Sequence, residues 1–320
     1  MLLSLALAAA LSTGCRRRSD SFDKYIFIGH FPNVTHAQAL VERRLQSKGE
    51  GFMQRKLPGY HFEWYTYNAG PSAMEALFGK TLDMAYVGPA PAINAYAVSG
   101  GREVRLLAGA AKGGSALLVA RDSGITEASD FRGSTIATPQ LGNTQDVAAR
   151  AWFRQNGLST NLGGRRGDVT ILPTANSMML MLIQQKSIDG CWTVEPWVSR
   201  LETQVGARVV LEEPETVTTV LVGRREWVCK HPHEVAALKE AHSELTEWMR
   251  THPAEAQALV VEELQELTQS YVDPELIARS WERLSFDTAI DLDGMSKFVE
   301  NARRAGLLKS TVPPIEGMKE

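Results

Sequence analysis

The chain has 320 residues, of which 44% are hydrophobic and 22% are charged, and its formal net charge at pH 7 is −3. This composition is typical of a soluble globular protein and excludes a disordered or fibrous chain. The slightly acidic balance, without a Lys/Arg cluster interleaved with aromatic residues, excludes nucleic acid as a partner. The length exceeds one ordinary hydrophobic core, so we expect two lobes.

The N-terminus has the pattern of an export signal. Residues 1–14 carry no charge and are dominated by Leu and Ala, in a run too short to span a bilayer as a mature helix. Gly14-Cys15 resembles the cleavage point of bacterial lipoproteins, although Ser12 stands where that pattern expects Leu and no basic residue precedes the run. We therefore expect a signal peptide at 1–14, a lipidated Cys15 and a tether at 15–24. A plainly cleaved signal is the alternative.

The cysteine and histidine patterns predict neither a disulfide scaffold nor a metal site. Beyond Cys15 only Cys191 and Cys229 remain, and we expect two buried free thiols rather than a bridge. The seven His residues include no pair at the His-x-x-x-His spacing of a helical metal site. No metal and no cofactor are expected.

One local order recurs in the first part of the chain. Apolar strand patterns occupy 25–29, 62–67, 83–87 and 104–110. The first three are each followed by a loop bearing Gly or Pro, and then by a helical pattern. In the second of these loops, Ser72 and Glu75 have the spacing of a capping box.

The stretch 138–146, Thr-Pro-Gln-Leu-Gly-Asn-Thr-Gln-Asp, repeats this order. It follows the apolar run 134–137 and precedes a helical pattern at 147–153. Asn143 is a good N-cap, and Asp146 is placed to accept from the Asn143 amide. Because the first N–H groups of a helix have no acceptor within it, such a loop can bind an anion.

The remaining patterns divide the chain into two lobes. Strand patterns at 116–120, 169–172 and 208–211, with a helix capped by Asn176, place lobe two at 116–215. The β-branched run 216–222 returns the chain to lobe one, which comprises 25–115 and 216–320 and ends in four helical patterns. Strands that alternate with helices predict an α/β fold, with a mostly parallel sheet flanked by helices in each lobe. The loops after parallel strands gather at one edge, so we expect a ligand cleft between the lobes.

Four motifs carry a resemblance to a known family. They are Gly29–Ala37 (GHFPNVTHA), Gly88–Pro91 (GPAP), Ala137–Asp146 (ATPQLGNTQD) and Glu195–Trp197 (EPW). In this order and spacing the chain resembles the solute-binding proteins of bacterial ABC importers for sulfonates, nitrate and taurine, from about Tyr25 to Gly306. Thiamine-pyrimidine synthase-like proteins share that fold.

The resemblance implies a type II periplasmic binding protein that closes on a small anion. Its implied partners are a membrane permease and the cytoplasmic ATPase of that permease. A monomer without a cofactor is implied, located in the periplasm or, through a lipid on Cys15, at the outer face of the cell membrane.

The resemblance and the loop chemistry together select the residues expected to face the anion. They are Phe31, Asn33, Thr35, His36, Gly88, Gly114, Gln140, Asn143, Thr144, Gln145, Glu195 and Trp197. Neutral donors of this kind hold an oxyanion without burying an unpaired cation, and aromatic rings suit an organic tail. The role of Glu195 stays open between a buried partner and the cation of an aminosulfonate.

The predicted function is capture of an aliphatic sulfonate or a related organic sulfur anion for import. Nitrate, taurine, a sulfate ester or a phosphonate are alternatives of the same type. An enzyme is not expected, because no Ser or Cys lies on an elbow motif and no phosphate-loop Lys follows a Gly-rich run. Two alternatives of other classes are a thiamine-pyrimidine synthase-like enzyme and a ligand-sensing domain. The missing cysteine-rich motif disfavours the first, and the export-like N-terminus disfavours the second.

Overall fold

The computed structural model of the protein describes residues 24–308 and 311–320. The predicted signal peptide 1–14, the lipid site Cys15 and all but the last residue of the tether lie outside the described residues. None of the helices in the described part of the chain is long and apolar enough to cross a membrane.

Strands and helices alternate through most of the described chain. The strands are β1 (Tyr25–His30), β2 (His61–Thr66), β3 (Met84–Val87), β4 (Val104–Gly113), β5 (Ser115–Val119), β6 (Thr135–Thr138), β7 (Thr170–Pro173), β8 (Gly190–Val194), β9 (Arg208–Glu212), β10 (Val217–Arg224) and β11 (Leu284–Phe286). The α-helices are α1 (Ala37–Ser47), α2 (Phe52–Lys56), α3 (Gly70–Phe78), α4 (Pro89–Val98), α5 (Thr144–Gln155), α6 (Asn176–Gln184), α7 (Trp197–Val205), α8 (Arg225–Lys230), α9 (Pro232–Thr251), α10 (Pro253–Thr268), α11 (Pro274–Trp281) and α12 (Leu292–Ala305).

These strands form two mixed sheets, and the α/β fold with two sheets is confirmed. The six-stranded sheet has the order β11-β4-β10-β3-β1-β2, in which β1 is parallel to β2 and β3 and the other pairs are antiparallel. The five-stranded sheet has the order β7-β6-β8-β5-β9, in which β6 is parallel to β7 and β8, and β5 is antiparallel to its neighbours.

The predicted mostly parallel sheets hold for strand direction, since β1 to β4 run one way in the first sheet and β6 to β9 run one way in the second, but β10, β11 and β5 run the opposite way and make both sheets mixed. A parallel neighbour requires a crossover connection over the same sheet, and the predicted alternation assumed one at every step. Strands β5 and β10 are instead entered directly from the other sheet, and both run antiparallel to their neighbours.

The chain passes between the sheets from β4 to β5 and from β9 to β10. Only Gly114 separates β4 from β5, and Gly113 and Gly114 have φ values of 75° and 66°, in the left-handed region that favours glycine. The six-stranded sheet draws its strands from 25–113 and 217–286, and the five-stranded sheet from 115–212. This partition supports the lobe boundaries near 115 and 216, which stay a prediction.

Each sheet buries apolar side chains on both of its faces. Along β3, Met84 and Tyr86 join one core cluster with α1, α9 and α10, whereas Ala85 and Val87 join another with α3, α4 and α12. Successive strand residues point to opposite faces, so one short strand supplies both cores. The five-stranded sheet is likewise covered on two sides. Because both faces of each sheet are covered, a ligand-binding site can form only at the sheet edges, where the loops emerge.

Several local predictions need correction. Helix α3 begins at Gly70, so Ser72 lies inside its first turn and does not form the predicted capping box. Helix α6 begins at Asn176, which is therefore its first residue and not its cap. The Asn143 side chain does cap α5, but Asp146 accepts from the Gly142 amide (2.9 Å) and not from the Asn143 amide.

The two cysteines within the described residues are free, and only one of them is buried. Cys191 lies in β8 inside the five-stranded sheet, whereas Cys229 is exposed on α8. The expectation of two buried thiols is therefore wrong for Cys229, because α8 is a short surface helix with only Trp227 and Val228 directed inward.

Candidate ligand-binding site

A small cavity lies where the carboxyl ends of parallel strands from both sheets meet. The loops after β1, β2 and β3 and strand β10 contribute Phe31, Asn33, Thr35, His36, Asn68, Ala69, Gly70, Gly88, Pro91 and Thr218. The end of β8 and the loops after β6 and β7 contribute Pro139, Asn143, Thr144, Gln145, Asn176 and Val194. About 20 Å³ of it is free, which is room for one or two water-sized groups.

Eight of the twelve predicted residues lie in the cavity wall: Phe31, Asn33, Thr35, His36, Gly88, Asn143, Thr144 and Gln145. They come from the loops after β1, β3 and β6, which together span more than 100 residues of sequence and which the two sheets bring face to face. The other four, Gly114, Gln140, Glu195 and Trp197, lie outside that wall.

Helix N-termini converge on the cavity. The first residues of α3, α5 and α6 and the cap of α4 all lie in its wall, together with the short 3-10 turn Val34–His36. Pro71 and Pro89 stand in the first turns of α3 and α4, where the fixed φ of proline suits a helix start. Each start directs the positive end of a helix dipole and its unpaired N–H groups at the same space.

Three asparagines of the wall have their carbonyl oxygens occupied by the protein. Asn33 Oδ1 accepts from Trp197 Nε1 (3.0 Å), and Asn143 Oδ1 accepts from the Asp146 amide (2.8 Å). Asn176 Oδ1 accepts from Thr193 Oγ1 (2.8 Å). An indole N–H and a backbone N–H can only donate, so the first two amide orientations are determined. Asn143 Nδ2 donates one of its hydrogens to Gln145 Oε1 (3.1 Å), and its second N–H and the amide NH2 groups of Asn33 and Asn176 are left for the cavity.

The cavity wall carries no formal charge. None of its described residues is Lys, Arg, Asp or Glu. Burial, with a smaller contribution from neighbouring His30, holds the pKa of His36 well below its ordinary value of 6.5, so this ring is neutral at pH 7. The wall therefore presents helix dipoles and neutral hydrogen-bond donors to a ligand, and no charged side chain.

Two buried polar atoms of the wall have no hydrogen-bond partner within the described chain. They are His36 Nδ1 and Thr144 Oγ1, in residues that are 2% and 5% exposed. Buried polar groups are nearly always paired in native proteins, so an unpaired one calls for an explanation. Both residues line the cavity, so a ligand bound there is a candidate partner for each atom.

Comparison with known proteins places the chain in a family. The sequence profile of the NMT1-like family matches residues 22–264, more than three quarters of the chain. The chain belongs to the NMT1-like family.

Individual relatives of this NMT1-like protein agree with the fold. A Bacillus subtilis (strain 168) protein, whose name assigns it provisionally to the binding of aliphatic sulfonates, is 27% identical over 267 residues, which are 80% of this chain and 75% of that one. The alkanesulfonate-binding protein SsuA from Xanthomonas axonopodis pv. citri, solved with MOPS bound, superimposes with a TM-score of 0.74 at 16% identity, covering 92% of this chain and 97% of that one.

The periplasmic nitrate-binding protein NrtA from Synechocystis PCC 6803 also superimposes with a TM-score of 0.74, at 15% identity, covering 92% of this chain and 85% of that one. At these identities the two solved structures establish the fold, which is that of periplasmic binding proteins. The comparison confirms the predicted two-lobed α/β fold.

Glu195 of the NMT1-like protein is held by a buried network and does not face the cavity. Its Oε1 accepts from Ser199 Oγ (2.8 Å) and Arg283 Nη1 (3.1 Å), and its Oε2 accepts from the Ser199 amide (3.1 Å) and Ser280 Oγ (2.9 Å). The residue is 0% exposed. The sequence left two roles open for Glu195, a buried ion-pair partner or a contact to the cation of an aminosulfonate. This geometry is that of a buried ion-pair partner.

Trp197, Gln140 and Gly114 border the cavity without lining it. Trp197 stands behind Asn33 and donates to it. Gln140 Nε2 donates to Ser72 Oγ (3.2 Å), which joins the loop after β6 to α3. Gly114 lies at the crossing between the sheets, and its carbonyl accepts from the Glu195 amide (2.8 Å).

Gly88 marks the closest approach across the cavity. A Cβ added there would lie 2.1 Å from Thr144 Oγ1 and 3.2 Å from Thr144 Cβ. Gly88 has φ −66° and ψ 155°, which any residue adopts, so the contact and not the backbone conformation requires glycine. Only the absence of a side chain allows the two loops to meet here.

Eight wall residues were not predicted: Asn68, Ala69, Gly70, Pro91, Pro139, Asn176, Val194 and Thr218. The sequence pattern could have predicted Asn68, because this residue lies between a strand and a helix start, as Asn33 does. Asn176 was recognised as polar and close to a helix start, but it was interpreted as a cap. Val194 and Thr218 lie in strands, and only strand pairing places them at the cavity.

Proposed function

We propose that this NMT1-like protein is the extracytoplasmic substrate-binding component of an ABC importer. It captures a small anion, in particular an aliphatic sulfonate, between its two lobes and delivers it to the permease. One observation carries the proposal: an uncharged cavity in which helix N-termini and oriented amide donors from both sheets converge, with two polar atoms unpaired. Preorganised neutral donors suit an oxyanion, because they need no buried cation.

The names of the relatives agree with this ligand class, since two of the three refer to sulfonates and one to nitrate. A bare inorganic anion such as nitrate is the second candidate. The small free volume of the cavity favours nitrate, because the tail of an organic anion needs more room than the cavity provides.

The proposed protein binds its ligand without covalent chemistry. Nucleophilic catalysis by a hydroxyl requires an adjacent base. Thr144 Oγ1, the unpaired hydroxyl of the wall, has no hydrogen-bond partner within the described chain. No general base therefore activates it.

The proposed cellular arrangement follows from the sequence patterns and the family. The lobes comprise 25–115 with 216–320, and 116–215, and the protein acts as a monomer. It is tethered by a lipid on Cys15, in the periplasm or at the outer face of the cell membrane, beside a permease with its ATPase. Membrane fractionation tests the tether: Cys15→Ser should release the protein from the membrane fraction, and an unchanged distribution would contradict it.

The cavity itself is tested by replacing the unpaired hydroxyl with an isosteric methyl group. Thr144→Val removes a donor from the wall and breaks no described hydrogen bond, so the melting temperature without ligand should not fall. A hydrogen bond to a charged group contributes about 1.5–3 kcal/mol, so alkanesulfonate affinity should fall about tenfold or more by titration calorimetry.

Thr219→Val is the matched control. Thr219 Oγ1 is also buried without a described partner, but the residue lies on β10 outside the cavity wall. Its substitution should leave the affinity unchanged. Equal affinities for the wild-type protein and Thr144→Val would refute the location of the site.

A further inference from the structure

We propose that Arg200 supplies the positive charge that the cavity wall lacks, and that an anion bound in the cavity serves as the counter-charge of this guanidinium. The inference rests on the proposed function and identifies a residue outside the wall that determines the affinity for anions. Arg200 is a half-buried residue of α7. Its Nε–H group is buried and has no hydrogen-bond acceptor within the described chain.

Two contacts connect Arg200 to the cavity. Its Cζ atom lies 5.0 Å from the centroid of the Trp197 ring, in a cation–π arrangement. The Trp197 Nε1–H group donates to Asn33 Oδ1 (3.0 Å), and Asn33 lines the cavity. The guanidinium is thus connected to the cavity wall through one indole ring and one amide.

Arg200 differs from other buried or half-buried cations of the described chain, which face a carboxylate. Four such pairs are Arg150–Asp146, Arg224–Asp83, Arg283–Glu195 and Lys112–Asp291. Burial lowers the pKa of Arg200 below its ordinary value of 12.5, and no carboxylate opposes that shift. An arginine nevertheless stays protonated at neutral pH. The carboxylates closest to Arg200 in sequence, Glu195 and Glu202, are both paired with Arg283.

The position of Arg200 on its helix is also unfavourable for a cation. It is the fourth residue of α7, near the helix end that carries positive partial charge, and the first turn contains no acidic residue. A half-buried guanidinium without a counter-charge at this end of a helix destabilises the ligand-free protein. An anion in the cavity offsets that cost, so Arg200 should weaken the ligand-free protein and strengthen the complex.

Arg200 need not touch the ligand to have this effect. The attraction between unit charges falls only as the inverse of their distance, and it is weakly screened where water is partly excluded. A cation about 10 Å from a bound anion in such surroundings changes the affinity about tenfold. The neutral donors of the wall then orient the anion, while the charge behind the wall adds affinity.

Arg200→Met tests the inference, because it removes the charge and keeps an apolar side chain against the Trp197 ring. Titration calorimetry with sodium nitrate and with sodium 1-propanesulfonate should show binding about tenfold weaker than that of the wild type. The melting temperature without ligand should stay the same or rise, because the variant no longer buries an unpaired cation. Arg200→Lys retains the charge and should keep the affinity within about threefold of the wild-type value.

Arg165→Met is the matched control for loss of a positive charge. Arg165 is exposed in the loop between α5 and β7, and its substitution should change neither the affinity nor the melting temperature. Unchanged affinity in Arg200→Met would overturn the inference. A ligand-free Arg200→Met protein that melts several degrees lower would show a structural role and would also overturn it.

The remaining outcomes separate the charge of Arg200 from the proposed function. Equal losses of affinity in Arg200→Met and Arg200→Lys would show that the charge is not responsible, and would overturn the inference while leaving an anion-binding protein. A wild-type protein that binds neither nitrate nor 1-propanesulfonate would overturn the proposed function, and the inference with it.

Discussion

Arg283→Met should destabilise the protein strongly, because it leaves a buried carboxylate without its cation. Arg283 pairs with Glu195 (3.1 Å), Glu202 (2.7 Å) and Glu212 (3.2 Å). Removing one partner of a buried ion pair costs about 3–5 kcal/mol. This cost applies to the Arg283–Glu195 pair, because the Glu195 side chain is 0% exposed. The Glu202 and Glu212 side chains are 18% and 31% exposed, so each adds at most about 1 kcal/mol.

The double variant Arg283→Met/Glu195→Gln identifies the cause of this loss. A neutral amide at 195 needs no cation, and with its oxygen in place of Oε2 it can still accept from the Ser199 amide and Ser280 Oγ while its NH2 group donates to Ser199 Oγ, so the double variant should regain about half or more of the lost stability. Urea unfolding at pH 7.5, with the slope compared between variants, measures the free energies.

Two results would refute this reasoning. A loss below about 1 kcal/mol in Arg283→Met would mean that Glu195 is solvated or protonated without Arg283. A double variant no more stable than Arg283→Met would mean that the arginine acts through its packing and not through its charge.

Two further predictions concern cavity closure and acid stability. Gly88→Ala would place a Cβ 2.1 Å from Thr144 Oγ1 and so push the two loops apart. Ligand affinity should fall about tenfold or more by calorimetry, while the melting temperature without ligand should stay within a few degrees of the wild-type value. Unchanged affinity would show that the two loops need not meet for binding. Burial, partly offset by the Gly109 carbonyl, lowers the pKa of His242 from 6.5 to about 4, so the unfolded chain binds the proton first as pH falls. Above pH 6.5 this group therefore costs the folded state nothing. Between pH 6.5 and pH 4 the free energy of unfolding falls by about 3 kcal/mol because of it. His242→Gln should flatten the urea-unfolding profile over that window, and a profile as steep as that of the wild type would contradict the assignment.

Much of the site could be predicted because helix starts are encoded locally. Asn143 caps α5 through the amide of Asp146, three residues away, and prolines stand in the first turns of α3 and α4. Such signals depend on neighbours within one helical turn, so a short stretch of sequence contains both members of each interaction. Because loops after parallel strands gather at one edge, the sequence also indicated that separate loops would share a cavity.

The role of each polar group within the site depended on partners that are distant in the sequence. Glu195 could be a ligand or a structural residue until Arg283, 88 residues later, was found beside it. Asn33 became a donor because Trp197, 164 residues later, occupies its oxygen. The sequence by itself determined most of the strands, the α5 cap and the loops that meet. Only the tertiary structure decided which carboxylates are neutralised, which amide atoms remain free and how the strands pair, because these outcomes depend on contacts that form only after the sheets have assembled.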